Sequence, residues 1–559
     1  MIVANGGTHE VKGIMLDKSK QRINHLNGES FSSMRNLRLL KIRNVDLSRD
    51  IEYLSNELRF LKWPEYPSNS LPSNFQPQKL FELNLCHSQI QYLWKDMKAF
   101  ERLKTIKLSY SHKLIETPDF TRVPNLEMLD LEGCTRLCKV HDSVGFLKRL
   151  TKLNLKGCKN LVSFPSNVSG LKLLKILNLQ GCSKLDRLPQ NLEELEVLEE
   201  LDAGETAIRQ VPPAIARLLN LESLSFCECK VQGWRSLVLP RKYLNSMCLS
   251  LPPLLGLFRL KALDLSDCGL SDGSLPSDLG SLCSLKELKL SNNNFVSLPE
   301  SIKRLSKLKI LCVENCQSLQ SLPELPPKII FVGAEDCISL EDVSNALRGG
   351  TSPNFQLHLF NCLKLHENLG QKNNLAIMLL KQYLQQPVNL SCQFHILLPG
   401  FDIPEWFSCK NDGDSVEIGL PPDWLNDDFM GIAMCGVFEP ALENLDCITR
   451  MGCSVSIMGN RFEFYFKIPS FTAVESHHLW LAYISRVTFD FGESSAAEGS
   501  DDKKCKVIKC GIRLNKQDKN YFQESSAAEG SVFHQKENYG RPGCLCHLVM
   551  PLELESLLH

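Results

Sequence analysis

Residues 150–167 read LTKLNLKGCKNLVSFPSN and residues 174–191 read LKILNLQGCSKLDRLPQN, the same phrase returning after 24 positions. Its first half places leucines at Leu150, Leu153 and Leu155, then at Leu174, Leu177 and Leu179, and closes on Cys158 and Cys182. A strand alternates its side chains, so Leu153 and Leu155 point one way and Lys152, Asn154 and Lys156 the other. The second half carries apolar residues three apart, Val168, Leu171 and Leu174 in one copy and Ile302, Leu305 and Leu308 in another. That spacing predicts a short helical or 3-10 segment. Pro165, Pro189, Pro212, Pro276, Pro299 and Pro323 discourage a continuous helix before it.

Working outward, the template LxxLxLxxC starts at Leu37, Leu58, Leu80, Leu103, Leu126, Leu150, Leu174, Leu198, Leu221, Leu260, Leu285, Leu308 and Ile329. Successive starts lie 21 to 25 residues apart, except for 39 between Leu221 and Leu260. This period is that of a leucine-rich-repeat solenoid, an α/β coil with a parallel sheet on its concave face and short helices or 3-10 turns on its convex face. The long interval marks an insertion near residues 230–259. Residues 1–36 are expected to supply a cap and first strand through Ile14, Leu16, Ile23 and Phe31, and residues 37–345 the solenoid.

The ninth template position is held by Cys134, Cys158, Cys182, Cys229, Cys268, Cys316 and Cys337, by Asn293, and by Ser88, Ser111 and Thr206. A thiol in register suits a metal ligand, a nucleophile or an interior filler. Metal ligands must converge on one ion, whereas these occur once per coil and interchange with Ser, Thr or Asn. The reading is a structural filler, with no catalytic residue, no metal ligand and no cofactor.

From about residue 355 the composition changes. NNLAIMLLKQYLQQP predicts one helix ending before Pro387. CQFHILLPG, DSVEIGL, FMGIAMCGVF, RFEFYFKI, HLWLAYISRVTFDF and KVIKCGIRL are then strand-length, β-rich and punctuated by Gly, Pro, Asn and Asp. They predict a mostly antiparallel β-sandwich or jelly roll over residues 355–515. ESSAAEGS occurs at both 493–500 and 524–531 and reads as a polar linker. Residues 516–559 are expected to form an irregular tail, whose CLCH (Cys544, Cys546, His547) lacks the second ligand pair of a zinc finger.

The 559 residues carry 63 Lys and Arg against 64 Asp and Glu, a net charge of -1 that argues against general attraction to nucleic acid or membrane. The first residues lack the pattern of a secretory signal, and no stretch approaches 18 uninterrupted apolar residues. A cytoplasmic chain, also able to reside in the nucleus, is expected. Its 23 cysteines then stay reduced.

THEVKGIMLD at residues 8–17, FSSMRNLRLLKI at 31–42, LRFLKWPEYPSNSLPSNF at 58–75, the repeated LNLxGC, LLPGFDIPEWFS at 397–408 and KCGIRL at 509–514 occur in this order. Together they resemble the C-terminal half of plant intracellular immune receptors of the TIR, nucleotide-binding, leucine-rich-repeat class, over most of residues 8–515. The resemblance implies a post-repeat jelly-roll or immunoglobulin-like domain. It also implies recognition of a pathogen effector or a guarded host protein, and restraint of a nucleotide switch. These residues contain no GxxxxGK[ST] phosphate loop, so ATPase or NADase activity is expected of the nucleotide-binding and TIR modules of a full receptor. A non-enzymatic recognition module is the expectation. The alternatives are a ubiquitin-ligase substrate adaptor and a free-standing truncated decoy.

Template positions three, five, seven and eight point outward and are the candidate protein-binding face. The early coils place Lys41, Arg43, Lys62, Lys107 and Tyr110 there, the middle coils Lys152 and Lys156, and the later coils Glu200, Asp202, Glu205, Asp264 and Asp267. The face changes sign along its length, which steers a charged partner. In the second domain, Trp406 and Phe407 are a candidate contact pair, with core packing as the competing role.

Overall fold

A computed structural model describes residues 10–17, 23–26, 28–43, 45–47, 51–94, 98–229, 248–347, 352, 354–365, 393–400, 402–413, 415–419, 429–440, 449–457, 460–468, 478–485, 505–516, 545–549 and 552–553. Two compact units divide the chain, residues 1–294 with 299–308, and residues 295–298 with 309–559.

The first unit is built on strands β1 (Gly13–Asp17), β2 (Ile23–Leu26), β3 (Leu39–Arg43), β4 (Val45–Leu47), β5 (Phe60–Lys62), β6 (Glu82–Asn84) and β7 (Thr105–Lys107). It continues through β8 (Met128–Asp130), β9 (Lys152–Asn154), β10 (Ile176–Asn178), β11 (Glu200–Asp202), β12 (Ser223–Ser225), β13 (Ala262–Asp264) and β14 (Glu287–Lys289). Apart from β2 and β4, which pair with each other, the strands of this unit lie parallel from one coil to the next, from β1 beside β3 to β13 beside β14. The register is exact in the fourth template position. Leu40, Leu61, Leu83, Ile106, Leu129 and Leu153 stand opposite one another in turn, and Leu177, Leu201, Leu224, Leu263 and Leu288 continue the file. All are buried. Each contributes roughly 1.5–3 kcal/mol, and only because a neighbouring coil covers it.

Where the return half of a coil is helical among the described residues it is 3-10 rather than α, as at Asp142–Phe146, Pro213–Arg217 and Glu300–Arg304, and elsewhere it is a chain of turns. The period-three apolar series explains this. Leu147 N–H donates to the Val144 carbonyl at 3.2 Å and Leu150 N–H to that of Leu147 at 3.1 Å, so the buried residues share one edge of a three-residue turn. Pro212 and Pro299 stand immediately before two of these segments, where a missing N–H costs nothing. Across the 39-residue interval, β12 and β13 still pair directly, Leu224 opposite Leu263. Residues 230–247 lie outside the described residues. Leu254, Leu257 and Leu260 rebuild an ordinary return half.

The ninth-position cysteines form a ladder of thiols aimed at carbonyls. Cys134, Cys158 and Cys182 donate from Sγ to the carbonyls of Leu108, Leu131 and Leu155 in the preceding coil, each at 3.2 Å. Cys229 does so to Ala203 and Cys268 to Phe226. Those carbonyls already accept a hydrogen bond within their own coil, from a backbone N–H, such as Cys134 N–H on Leu131 at 3.2 Å, or at Ala203 from the Thr206 hydroxyl at 2.8 Å, so the thiol occupies the second lone pair. Ser111 Oγ does the same at Leu85, and Asn293 Nδ2 at Leu265. Burial pushes the Cys134 and Cys182 thiols up to about 12 and the Cys158 thiol higher still. They are protonated donors, unsuited to attack or to metal ligation.

In the second unit, β15 (Ile310–Cys312), β16 (Phe331–Gly333) and β17 (Asn354–His358) continue the parallel pattern, and β18 (Gln393–Pro399) lies parallel to β17. The stretch expected to open the second domain at 355 therefore begins with one further coil. Cys362 Sγ donates to the Ala334 carbonyl at 3.2 Å, as a ninth-position residue does. The template missed this coil because Asn354 stands where a leucine opens the others.

The remaining strands are β19 (Cys409–Asp412), β20 (Ser415–Gly419), β21 (Phe429–Pro440), β22 (Thr449–Ile457), β23 (Asn460–Ile468), β24 (His478–Ser485), β25 (Cys505–Lys516), β26 (Leu545–Val549) and β27 (Leu552–Glu553). The free edge of β18 takes β24 antiparallel, and β21, β25 and β19 follow in antiparallel order. A separate antiparallel sheet runs β20, β26, β22, β23, with β27 on β22. The tail is thus not irregular throughout, because β26 pairs on both edges, with β20 and with β22. The helix expected before Pro387 and both ESSAAEGS segments lie outside the described residues.

Candidate functional site

Parallel register turns the outward positions into columns that run from coil to coil. In the fifth-position column, Asp130, Asn154, Asn178, Asp202 and Asp264 each accept the backbone N–H two residues on, at 2.9 to 3.2 Å. A short polar side chain here closes the turn that leaves the strand. Asp202 and Asp264 therefore have a structural duty besides any binding role, whereas Lys41, Lys62 and Lys107 cannot accept and are free of it. Burial, and then Asp264 two strands away, raise the Asp202 carboxyl above its ordinary range.

The eighth-position column is set by backbone conformation. Every described residue with positive φ other than glycine occupies it: Glu65, His87, Tyr110, Glu205, Glu228, Asp267, Asn292, Asn315, Asp336 and Asn361, with φ between 54° and 63°. Gly133, Gly157 and Gly181 fill the same place in the LNLxGC coils, at 67°, 71° and 74°. The left-handed turn suits Gly and, less well, Asn or Asp, and costs roughly 1–2 kcal/mol for other residues. Glu65, His87, Tyr110, Glu205 and Glu228 are held there all the same.

Side chains join the columns. Lys62 Nζ meets Glu82 Oε2 at 2.9 Å, and Gln180 Nε2 donates to Glu205 Oε1 at 2.9 Å. Tyr110 donates its hydroxyl to Glu132 Oε1 at 2.7 Å, a bond that raises the phenol above its ordinary range. Asn154 Nδ2 donates to Glu132 Oε2 at 3.1 Å and to Asp130 Oδ1 at 3.0 Å. The His87 and Tyr110 rings stack at 5.1 Å and 11°.

Of the residues expected on this face, Arg43, Tyr110, Lys156 and Glu200 are exposed. Lys41, Lys62, Lys107, Lys152, Asp202, Glu205 and Asp264 are half-buried. Asp267 is only 8% exposed. His87, Glu132 and Glu228 share the face and were not singled out. A glutamate or an aromatic where the phrase LNLxGC has glycine was the available signal for His87 and Glu228, whereas Glu132 fills the x of that phrase. Phe407 is buried, its N–H donating to the Pro404 carbonyl at 3.1 Å, while the half-buried Trp406 stands edge-on to it at 5.3 Å.

A second polar cluster lies inside the second unit. His358 Nδ1 is 3.2 Å from Glu335 Oε1, both side chains being nearly inaccessible. Burial, and then His358, push nearby His395 down to about 4, so it stays neutral near pH 7. Among the described residues no three His, Cys, Asp or Glu side chains are grouped to hold a metal, and no helix is long and apolar enough to cross a membrane.

Residues 398–526 match the C-JID domain, and residues 240–352 match the leucine-rich repeats described as disease resistance protein RPS4B-like. The chain carries leucine-rich repeats and a C-JID domain, and it resembles the C-terminal part of plant TIR-NBS-LRR disease resistance proteins. It is 31% identical to the disease resistance-like protein DSC1 of Arabidopsis thaliana, over 91% of this chain and 50% of that protein. It is 30% identical to TMV resistance protein N of Nicotiana glutinosa, over 77% of this chain and 43% of that protein. The chain thus spans about half the length of the curated relatives it matches. A leucine-rich-repeat protein of Leptospira interrogans aligns with 60% of this chain and 95% of its own, at 21% identity and a TM-score of 0.40.

Proposed function

We propose that this chain is the recognition part of an intracellular plant immune receptor, acting by binding rather than turnover. The outward strand face takes a pathogen effector or a guarded host protein. Where nucleotide-binding and TIR modules accompany it, the repeats restrain the nucleotide switch until that partner arrives. The observation that carries the reading is the fixed register of charge. Lys41, Arg43, Lys62 and Lys107 occupy one end of the sheet and Glu200, Asp202, Glu205 and Asp264 a later part, on strands that cannot slip relative to one another. Such a face orients a charged protein before contact. The match to disease resistance proteins supports the same role.

In this reading the antiparallel sheets of β18 to β26 belong to a jelly-roll or immunoglobulin-like domain, with Trp406 as its accessible contact. The protein works in the cytoplasm, and also in the nucleus. The test is co-immunoprecipitation from leaf cells with a matching nucleotide-binding module and candidate effectors, using wild type and the triple variant Glu200→Lys, Asp202→Asn, Glu205→Lys. Asn keeps the turn-closing acceptor at 202. The expected result is loss of effector or host-protein capture by the variant. Capture at the wild-type level by a folded variant removes the acidic part of the face from the proposal.

A further inference from the structure

The position two residues before each coil's opening leucine changes character partway along the solenoid. Three successive coils place charge there, Lys148, Lys172 and Glu196, and the last two pair at 2.8 Å. The next three coils place Leu219, Phe258 and Cys283 there instead. All three are exposed, Leu219 to 57% and Phe258 to 52%, so the coil's own packing does not call for them. Leu255, 58% exposed, stands three residues before Phe258 on a turn whose buried edge is Leu254, Leu257 and Leu260, so the two share the next edge. The residues form one patch. Leu219 Cδ2 would lie 3.7 Å from a Cβ on Gly256, which lies between Leu255 and Phe258 in the chain, and the Cys283 thiol reaches the Phe258 carbonyl at 3.9 Å. Single exposed apolar residues are ordinary, whereas a contiguous cluster rimmed by polar groups marks a contact surface.

The rim sets the sign of the partner. Three cations gather on one carboxylate beside the patch: Lys261 bonds Glu222 at 2.7 Å, and this bond, with the charges of Lys261, Arg259 and Lys286, holds the Glu222 carboxyl below its ordinary range. Arg259 Nη1 donates to the neutral Asn220 Oδ1 at 2.6 Å, and exposed Lys307 takes the place of Arg259 two coils further on. Among the described residues no carboxylate pairs with Arg259, Lys286 or Lys307. The other acids nearby are engaged or set back. Glu196 is paired with Lys172 and Glu287 with Lys289, Asp278 Oδ2 accepts the Leu254 N–H at 2.9 Å, and Glu300 opens the 3-10 segment that precedes Leu308. We propose that these return halves dock an acidic amphipathic helix of a partner protein, whose apolar stripe covers Leu219, Leu255 and Phe258 while its carboxylates meet Arg259, Lys286 and Lys307. This is a second protein surface, outside the strand face.

The repeat supplies variants that fold, because lysine is what earlier coils carry at the same position. The full chain is titrated at 0.15 M salt with a fluorescent helical peptide of glutamate and leucine whose leucines recur at i, i+3, i+4 and i+7. A peptide of the same composition with its leucines scattered, and phosphatidylserine vesicles, are the other arms. The amphipathic order is expected to bind about fivefold to tenfold more tightly than the scattered one. The Leu219→Lys, Phe258→Lys variant should lose that preference at an unchanged urea midpoint, although its added charge would strengthen a purely electrostatic contact. The Lys286→Glu, Lys307→Glu variant should weaken binding of both peptides. Equal binding of the two peptides by wild type, a preference that survives the lysine variant, or binding unchanged by the charge reversal each overturns the proposal. Vesicle binding by wild type that Phe258→Lys abolishes makes the patch a membrane surface and overturns it too. The capture test at Glu200, Asp202 and Glu205 reads the strand face, so its failure leaves this result standing and the reverse.

Discussion

Replacing glycine by alanine at equivalent turns should cost different amounts, and Tyr110 should be the reason. At Gly157, φ is +71° and a Cβ would find only Gly133 Cα at 3.6 Å and N at 3.7 Å, ordinary contacts. Gly157→Ala therefore carries the left-handed penalty alone, roughly 1–2 kcal/mol. At Gly133, φ is similar at +67°, but the Cβ would lie 2.5 Å from Tyr110 Cδ1 and 2.8 Å from Cε1. The ring cannot simply turn aside, since His87 stacks on it and Glu132 holds its hydroxyl. Forcing atoms into a packed site adds about 1–3 kcal/mol, so Gly133→Ala should cost about 2–5 kcal/mol in all. In a Tyr110→Gly background the added part should disappear, giving a coupling of about 1–3 kcal/mol between positions 110 and 133 and none between 110 and 157. Urea unfolding of the four-member cycle, followed by circular dichroism, measures it. Equal losses at Gly133 and Gly157, or no recovery with Tyr110→Gly, would refute the view that the ring is clamped against the turn.

The thiol ladder sets an alkaline limit. A group whose acid form is favoured by folding stabilises fully below its unfolded value of 9.0 and loses that contribution as pH climbs toward the folded value of about 12 for Cys134 and Cys182. Each should cost about 1.4 kcal/mol per pH unit in that window, and the Cys134→Ser, Cys182→Ser variant should show a shallower loss of urea midpoint between pH 8.5 and 10.5. An unchanged slope would mean that these thiols are not held protonated. In the acidic part of the face, Asp202→Asn should be at least as stable as wild type near neutral pH, because it keeps the acceptor for Gly204 N–H and removes a carboxylate disfavoured by burial and Asp264. Asp202→Ala should lose about 1 kcal/mol in thermal unfolding; equal stability of Asn and Ala variants would deny the turn-closing role.

The repeating coil, its leucine file and the filler role of Cys158 were open to reading in the linear chain, because each follows from a period of 21 to 25 residues and the alternation of a strand. The return halves were readable only as short helical or 3-10 segments, because a spacing of three fits either, and the structure takes the 3-10 form at Asp142–Phe146, Pro213–Arg217 and Glu300–Arg304. The coil around Cys362 escaped because it lacks the opening leucine, and β26 because a short strand in a polar tail shows itself only through the partners that pair with it.

The candidate face divides the same way. Sequence placed Lys107, Tyr110, Asp202 and Asp264 outward, for strand alternation needs only the local chain. It could not tell that Asp202 and Asp264 close their own turns, that Asp267 is tucked away, or that Tyr110 is pinned between His87 and Gly133 with Glu132 on its hydroxyl. The contacts that pin Tyr110 join residues 22 or 23 positions apart, brought within a few ångströms by the stacking of one coil on the next, whereas the Asp202 and Asp264 bonds stay within their own turns. What the sequence by itself determined was the coil and which residues leave it. Only the tertiary structure decided which of them are held rigid and which stay exposed, because those properties belong to neighbouring coils in contact and not to any one of them.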